Sequence, residues 1–322
     1  LTSRFAPTLS IPTIQPESIP EPSSLNNSPL ESPFVVVIPV YNPGTEKYLL
    51  ELGGMLAHYY QGKMIPLSIA TSRTHMDDIQ LDVSLRRSQV LLDAASNFSR
   101  TLGVESESLI RIDDSIAQGI SRASREQHAN LIVMGWGRRT GFQARLLGNV
   151  IDSVLWSSHC PVVISRLIDS PTSFQRILIP VEYLYPSPYL VLQFAQVLAK
   201  ENQAQITLLN VLNPNLTSRF HQRSVPDKIG PIQAYLEQVV SQFEFPTQPT
   251  ILVKQSDDIA KAISSEAEAY DLVILRVSPR HLSAAGLTVS DLTTQTVELL
   301  NCSVIMLGTR PGNTTPNSLQ NL

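Results

Sequence analysis

Cysteine is scarce in this chain: Cys160 and Cys302 are the only two in 322 residues. Two thiols cannot build a disulfide framework, so a reducing compartment is the simplest setting. Aromatics supply 6% of the residues and charged side chains 16%. The net charge is -4, so there is no global basic field and no nucleic-acid partner is expected. No apolar run approaches the roughly 20 residues that cross a bilayer. The six histidines are scattered, none at a metal-ligand spacing, and no metal is expected. Both common phosphate loops are also missing. No Gly-Lys-Ser or Gly-Lys-Thr occurs, and no Gly-x-Gly-x-x-Gly follows the first strand.

Proline, in contrast, is concentrated. Residues 1–33 hold seven of the 23 prolines, with many serines. Proline fixes φ and removes a donor, so this stretch is expected to be an extended linker. The polar, turn-rich 311–322 is expected to be a flexible tail. The chain opens on Leu1, which suggests a piece of something longer or a processed product.

Between these ends the chain repeats itself. FVVVIPV (34–40) has a partner in RILIPV (176–181), with Pro39 and Pro180 141 residues apart. SIAQGI at Ser115 resembles DIAKAI at Asp258, LIVM at Leu131 resembles LVIL at Leu272, and Cys160 resembles Cys302. Offsets this constant indicate a tandem duplication, read as domains 34–168 and 174–310.

Within each copy, short apolar β-branched runs alternate with segments of helical period. In copy one the pattern predicts strands at 34–40, 64–71, 107–112, 131–135 and 161–166. Helices are predicted at 45–60, 83–102, 115–128 and 147–158, the first burying Leu49, Leu52, Leu56 and Tyr59. Copy two predicts strands at 176–181, 205–211, 250–254, 272–277 and 303–308. Its helices are predicted at 189–201, 231–243, 258–269 and 291–301. Five strands alternating with four helices imply an α/β fold: two tandem doubly wound five-stranded parallel sheets. In such a sheet a ligand sits beyond the carboxyl ends of the strands, where the strand order reverses.

One stretch there draws attention: GWGRRTGFQARLLGNV, from Gly135 to Val150, between the fourth strand and the fourth helix. This arrangement, repeated in tandem with a closing PVVIS strand, resembles the universal stress protein family. Members that bind nucleotides carry Gly, two residues, Gly, nine residues, then Gly and Ser or Thr. Gly135 and Gly148 match. The second glycine falls on Arg138, with Gly137 one residue early, and Asn149 stands for the hydroxyl residue ahead of Val150. The resemblance implies a universal-stress-protein-like, adenine nucleotide alpha hydrolase-like fold with the two copies packed as an intramolecular pseudo-dimer. It implies backbone N–H groups that approach phosphate oxygens and a helix start that favours an anion. The alternative is a retained strand–helix connection with solvated arginines.

The family's nucleotide binders also place Asp near the end of the first strand. After Pro39 and Val40, this chain has Tyr41, which could stack on a base but offers no carboxylate. In copy two the match is Glu182, but the late loop there has one glycine, Gly286, then Ser290 and Asp291. An aspartate at a helix start repels phosphate. The resemblance thus implies ATP or AMP as the possible ligand, in copy one.

Three further features have structural readings. Asp113-Asp114 and Asp257-Asp258 precede helices and are read as caps. Cys160 and Cys302 are read as small apolar residues before the last strands. No Ser, His and Asp set stands at a nucleophile turn, so the chain is read as non-enzymatic. Finally, LTSRFAP (1–7) resembles the cytoplasmic end of the membrane domain of monovalent cation/proton antiporters, Na+/H+ antiporters among them. This implies a regulatory region on the cytoplasmic side, tethered to the membrane domain of the same longer chain and paired as a homodimer. The alternatives are a stand-alone tandem stress protein binding ATP or AMP, and a ligand-free dimerisation scaffold.

Overall fold

The computed structural model describes residues 33–41, 43–71, 78–136, 148–181, 188–214, 226–277, 280–283, 286–288 and 291–309. Of the linker and tail read from composition, all but Pro33 lies outside the described residues.

Copy one runs β1 (Val35–Pro39), α1 (Pro43–Tyr59), β2 (Lys63–Thr71), α2 (Asp78–Thr101), β3 (Glu105–Ser106) and β4 (Leu109–Asp113). It continues with α3 (Ile116–Glu126), β5 (Leu131–Gly135), α4 (Gly148–Ser157) and β6 (Val162–Arg166). Copy two runs β7 (Arg176–Pro180), α5 (Tyr189–Asn202), β8 (Gln205–Leu212), α6 (Pro226–Val240) and β9 (Thr250–Gln255). Then follow α7 (Ile259–Ala267), β10 (Leu272–Val277), β11 (Arg280–Ser283), β12 (Gly286–Thr288), α8 (Asp291–Leu299) and β13 (Ser303–Gly308).

The strands are runs of Val, Ile and Leu because both their faces are covered. Val36 and Ile38 face one apolar cluster, with Leu49, Leu52 and Leu56 of α1. Val35 and Val37 face the other, with Ile120 of α3 and Val154 of α4. In copy two, Phe194 and Leu198 of α5 and Leu236 of α6 cover the first face. Ile263 of α7 and Val297 of α8 cover the second. The architecture is therefore helix, sheet, helix in three layers.

Each copy has the strand order of a doubly wound sheet. Copy one orders its strands β3-β2-β1-β5-β6, with β4 also on β2, and copy two orders them β13-β10-β7-β8-β9. All neighbours within a copy are parallel. The two halves do more than touch. β6 pairs antiparallel with β13, from Val162↔Gly308 to Arg166↔Val304, so a single 11-stranded sheet runs through both. A pairing between 161–166 and 303–308 is what the apolar closing strands lead one to expect, because each would otherwise present an unpaired edge. On one helical layer, α1 and α5 also meet. Ser170 Oγ donates to Glu51 Oε2 at 2.6 Å, and Asn202 Nδ2 donates to the Pro171 carbonyl at 2.7 Å.

Candidate functional site

The strand order reverses between β1 and β5 in copy one, and between β7 and β10 in copy two. There the ladders are short. β1 and β5 are paired only at Val36↔Leu131 and Val37↔Ile132. Each continues further with its other neighbour, β1 to Pro39↔Leu67 and β5 to Gly135↔Ser165. The two strands thus part beyond Ile132, and a crevice opens at their carboxyl ends, where ligands bind in sheets of this class.

Pro39, Val40 and Tyr41 form one lip of the crevice. Val40 is buried and its N–H donates to the Leu67 carbonyl at 2.8 Å. Tyr41 is 67% exposed, with the Arg87 guanidinium 5.2 Å from its ring centroid. The ring that could stack on a base therefore stacks on a cation of α2. Gly135 and Trp136 form the other lip. A Cβ at Gly135 would stand 2.9 Å from Leu49 Cδ1 of α1, so helix–strand packing is close there and a larger residue would make the Leu49 side chain shift. The Trp136 N–H donates to the Ser165 carbonyl at 2.7 Å, and the Arg166 guanidinium lies 5.4 Å from its ring centroid. Gly148, Asn149 and Val150 open α4, with Val150 exposed. Gly137 and Arg138 lie outside the described residues, as does Glu182 of copy two.

Sequence reading passed over one residue in the first turn of α1. Glu46 sits in the first turn of α1, three residues ahead of Leu49 and so on the same helix face, one turn nearer the crevice mouth. It is only 5% exposed. Its Oε1 has no hydrogen-bond partner among the described residues, and burial raises its pKa. A glutamate in a first helical turn ordinarily reads as a solvated complement to the helix dipole. Only the tertiary packing shows that it is enclosed.

Copy two differs at the equivalent place. β1 and β7 share one register with their neighbours, which sets Arg276 where copy one has Gly135. Burial lowers the Arg276 pKa. The loop that follows folds into an antiparallel hairpin, β11 with β12 from Arg280↔Thr288 to Ser283↔Gly286. Gly286 is thus a strand residue, and Asp291 begins α8.

The remaining candidates resolve into structural roles, with one correction. Asp258 is the N-cap of α7 and accepts from the Lys261 N–H at 3.1 Å. Asp113-Asp114, read as an equivalent cap, does not match it. The N-cap of α3 is Ser115, and its side chain makes no capping bond. Asp113 ends β4 and is held by Arg122 at 3.1 Å and Arg111 at 3.3 Å. Its burial alone would raise its pKa, but hydrogen bonds from Arg111 and from the Ser115 backbone, with the Arg122 charge, hold it below the usual value. The two arginines, absent from copy two's 257–258 site, explain the difference. Burial pushes the Cys160 thiol up to about 12 and also raises that of Cys302, so neither is a ready nucleophile. No group of three His, Cys, Asp or Glu suited to a metal occurs among the described residues. A cleft of 390 Å³ lined by His58, Gly62, Glu105 and Glu201 opens at the opposite, amino ends of the strands.

A tandem doubly wound sheet with an order reversal in each half defines the class: a duplicated doubly wound α/β fold. The sequence profile of the universal stress protein family matches residues 35–166 and 173–308, and the chain belongs to that family. The chain is 37% identical over 317 residues to the Na(+)/H(+) antiporter NhaS5 of Synechocystis sp., covering 96% of this chain and 44% of the antiporter. It therefore spans less than half the length of that relative. Its fold is similar to a universal stress protein from Archaeoglobus fulgidus, with TM-score 0.63 and 16% identity, covering 86% of this chain and 98% of that one. It is also similar to the cytoplasmic domain of a prokaryotic cation chloride cotransporter, with TM-score 0.55 and 12% identity, covering 90% of this chain and all of that one.

Proposed function

We propose that this chain is the cytoplasmic regulatory region of a monovalent cation/proton antiporter, joined through residues 1–33 to the membrane domain of the same longer protein. The alignment with an antiporter along nearly the whole chain carries this reading. The architecture is compatible with it, since a cotransporter's cytoplasmic domain uses the same fold. No helix among the described residues is long and apolar enough to cross a membrane, so transport itself would belong to another part of the protein.

In this reading copy one is the sensing half and binds an adenine nucleotide, ATP or AMP, without hydrolysing it. The support is the crevice between β1 and β5, Gly135 at its lip, and α4 starting with Gly148-Asn149. A helix start supplies free N–H groups and a partial positive charge to a phosphate. Copy two is the scaffold half, because Arg276 and the β11–β12 hairpin occupy what a phosphate loop would need. The covalent tandem holds the scaffold against the sensor at high effective concentration. A ligand regulates transport only if it binds two conformations unequally.

The test has two stages. Nucleotide at 100 times Kd should stabilise this chain by about 2.7 kcal/mol in thermal unfolding, and Gly148→Asp should abolish that shift. The full-length antiporter in proteoliposomes should then change its sodium-driven proton flux on adding the same nucleotide inside or outside. No thermal shift at millimolar ATP, ADP or AMP eliminates the sensor reading. An unaltered flux with nucleotide bound eliminates regulation and leaves a binding module. A second antiporter chain as partner, in a homodimer, would show as twice the expected mass by light scattering.

A further inference from the structure

Glu46 is a carboxylate that the fold itself does not account for. It is only 5% exposed, and its Oε1 has no hydrogen-bond partner among the described residues. Enclosing a carboxylate oxygen without a donor is costly, and natural chains keep such costs mainly where function needs them. The helix dipole favours an acid in a first turn but does not require it to be buried. A resident metal is not indicated either, because no second and third ligand stand nearby among the described residues.

Its position points to a ligand. Leu49 packs against Gly135, which stands at the lip of the crevice. Glu46 lies one turn further out on the same face of α1, and helical side chains lean toward the helix N-terminus. That direction is the crevice mouth. The lip residue beside it, Tyr41, brings no carboxylate and faces Arg87.

We propose that Glu46 is the nucleoside acceptor of the copy-one crevice: its carboxylate receives O–H or N–H donors of the bound nucleotide, from the ribose hydroxyls or the adenine amine. It thereby provides the acidic contact that position 41 lacks. This rests on the nucleotide reading above. No bond is made or broken in the process. The ligand supplies a donor to Oε1, the carboxylate oxygen that otherwise has no hydrogen-bond partner among the described residues.

Calorimetric titration of the whole chain tests it, with AMP, 2′-deoxy-AMP, 3′-deoxy-AMP and inosine monophosphate against wild type, Glu46→Gln and Glu46→Leu. For wild type, loss of the donor that Glu46 receives should weaken binding roughly tenfold or more, as expected of a hydrogen bond to a charged group. The deoxy ligands report a sugar contact and inosine monophosphate reports a base contact. Glu46→Gln should weaken AMP by a similar factor and make that one ligand change nearly neutral. Thermal unfolding of the ligand-free variants accompanies this. A purely structural carboxylate would also yield a more stable protein on replacement, but with AMP affinity unmoved. Equal AMP affinity in wild type and Glu46→Gln overturns the proposal and leaves the nucleotide reading standing. Failure of wild type to bind AMP or ATP overturns both. If Glu46→Leu does not fold, the wild-type ligand series still decides, because four equal affinities would sink the assignment.

Discussion

Ile164 of β6 pairs with Met306 of β13 across the antiparallel ladder. The two residues occupy equivalent positions, since Ile164 pairs with Met134 of its own copy and Met306 with Leu275 of the other. A pseudo-twofold axis therefore passes between them. The symmetry breaks two residues on, where Arg166 has Gly308 as its counterpart. Arg166 donates across the junction to the carbonyls of Leu300 at 2.7 Å, Cys302 at 3.3 Å and Val297 at 3.5 Å. The Val297 and Leu300 carbonyls lie at the carboxyl end of α8, where a cation is also favoured electrostatically.

Arg166→Ala should destabilise the chain by roughly 2 kcal/mol, through the lost charged donors and the lost stacking on Trp136. Arg166→Lys should recover only part of this, because an ammonium lacks the planar fork. Denaturant unfolding monitored by tryptophan fluorescence would measure both. Equal stability of wild type and Arg166→Ala would show that the junction rests on the β6–β13 ladder alone.

Gly308 packs closely across the same junction. A Cβ there would stand 2.5 Å from Leu155 Cδ2 of α4. Gly308→Ala should cost about 1–3 kcal/mol by overpacking. Leu155→Ala alone should cost roughly 2–5 kcal/mol through its cavity. Together they should cost clearly less than the two added, since each relieves the other's defect. A double-mutant cycle by chemical denaturation reads the coupling, and strict additivity would refute the contact.

Glu46 makes stability depend on pH with a definite sign. Its folded pKa is raised above the usual 4.5 by burial, so the folded state holds the proton more tightly than the unfolded one. The resulting stability is present below the unfolded value and is lost as pH rises through the folded one. Glu46→Gln should therefore unfold at a higher temperature than wild type near pH 7, with the gap closing toward pH 4. A constant gap across that range would mean that the carboxylate is not enclosed.

Asp113 has the opposite sign. Its folded pKa is lowered from 3.8, so its contribution is present above that value and lost as pH falls through the folded pKa. Asp113→Asn should lower the unfolding temperature at neutral pH, by an amount that shrinks as pH falls below 3.8. Arg111, Arg122 and Glu126 share this network, so Arg122→Ala should weaken the effect of Asp113→Asn. An unchanged unfolding temperature for Asp113→Asn at pH 7 would remove the network's role in stability.

Element types were legible because both-face burial writes itself as continuous apolar runs. The segments 131–135, 272–277 and 303–308 read from the sequence coincide with β5, β10 and β13. The β11–β12 hairpin was not legible, since its pairing of Arg280 with Thr288 leaves no apolar alternation to read. Of the candidate site, the sequence pattern marked Gly135 and Gly148, which stand at the end of β5 and the start of α4. Two facts of the site were not legible. Gly135 reads as a phosphate-loop glycine, yet Leu49, 86 residues earlier, packs closely against it as well. Glu46 reads as a solvated first-turn acid, yet the surrounding chain encloses it.

The sequence by itself determined the duplication, the α/β alternation and the strand edges that must find partners, because these follow from local periodicity and repeated residues. The tertiary structure alone decided that the two halves share one continuous sheet, that Arg166 rather than its counterpart bridges them, and that Glu46 is shut away from water. Those outcomes depend on which distant residues come into contact, and burial is a property of the neighbours that fold over a side chain, not of the side chain's own place in the sequence.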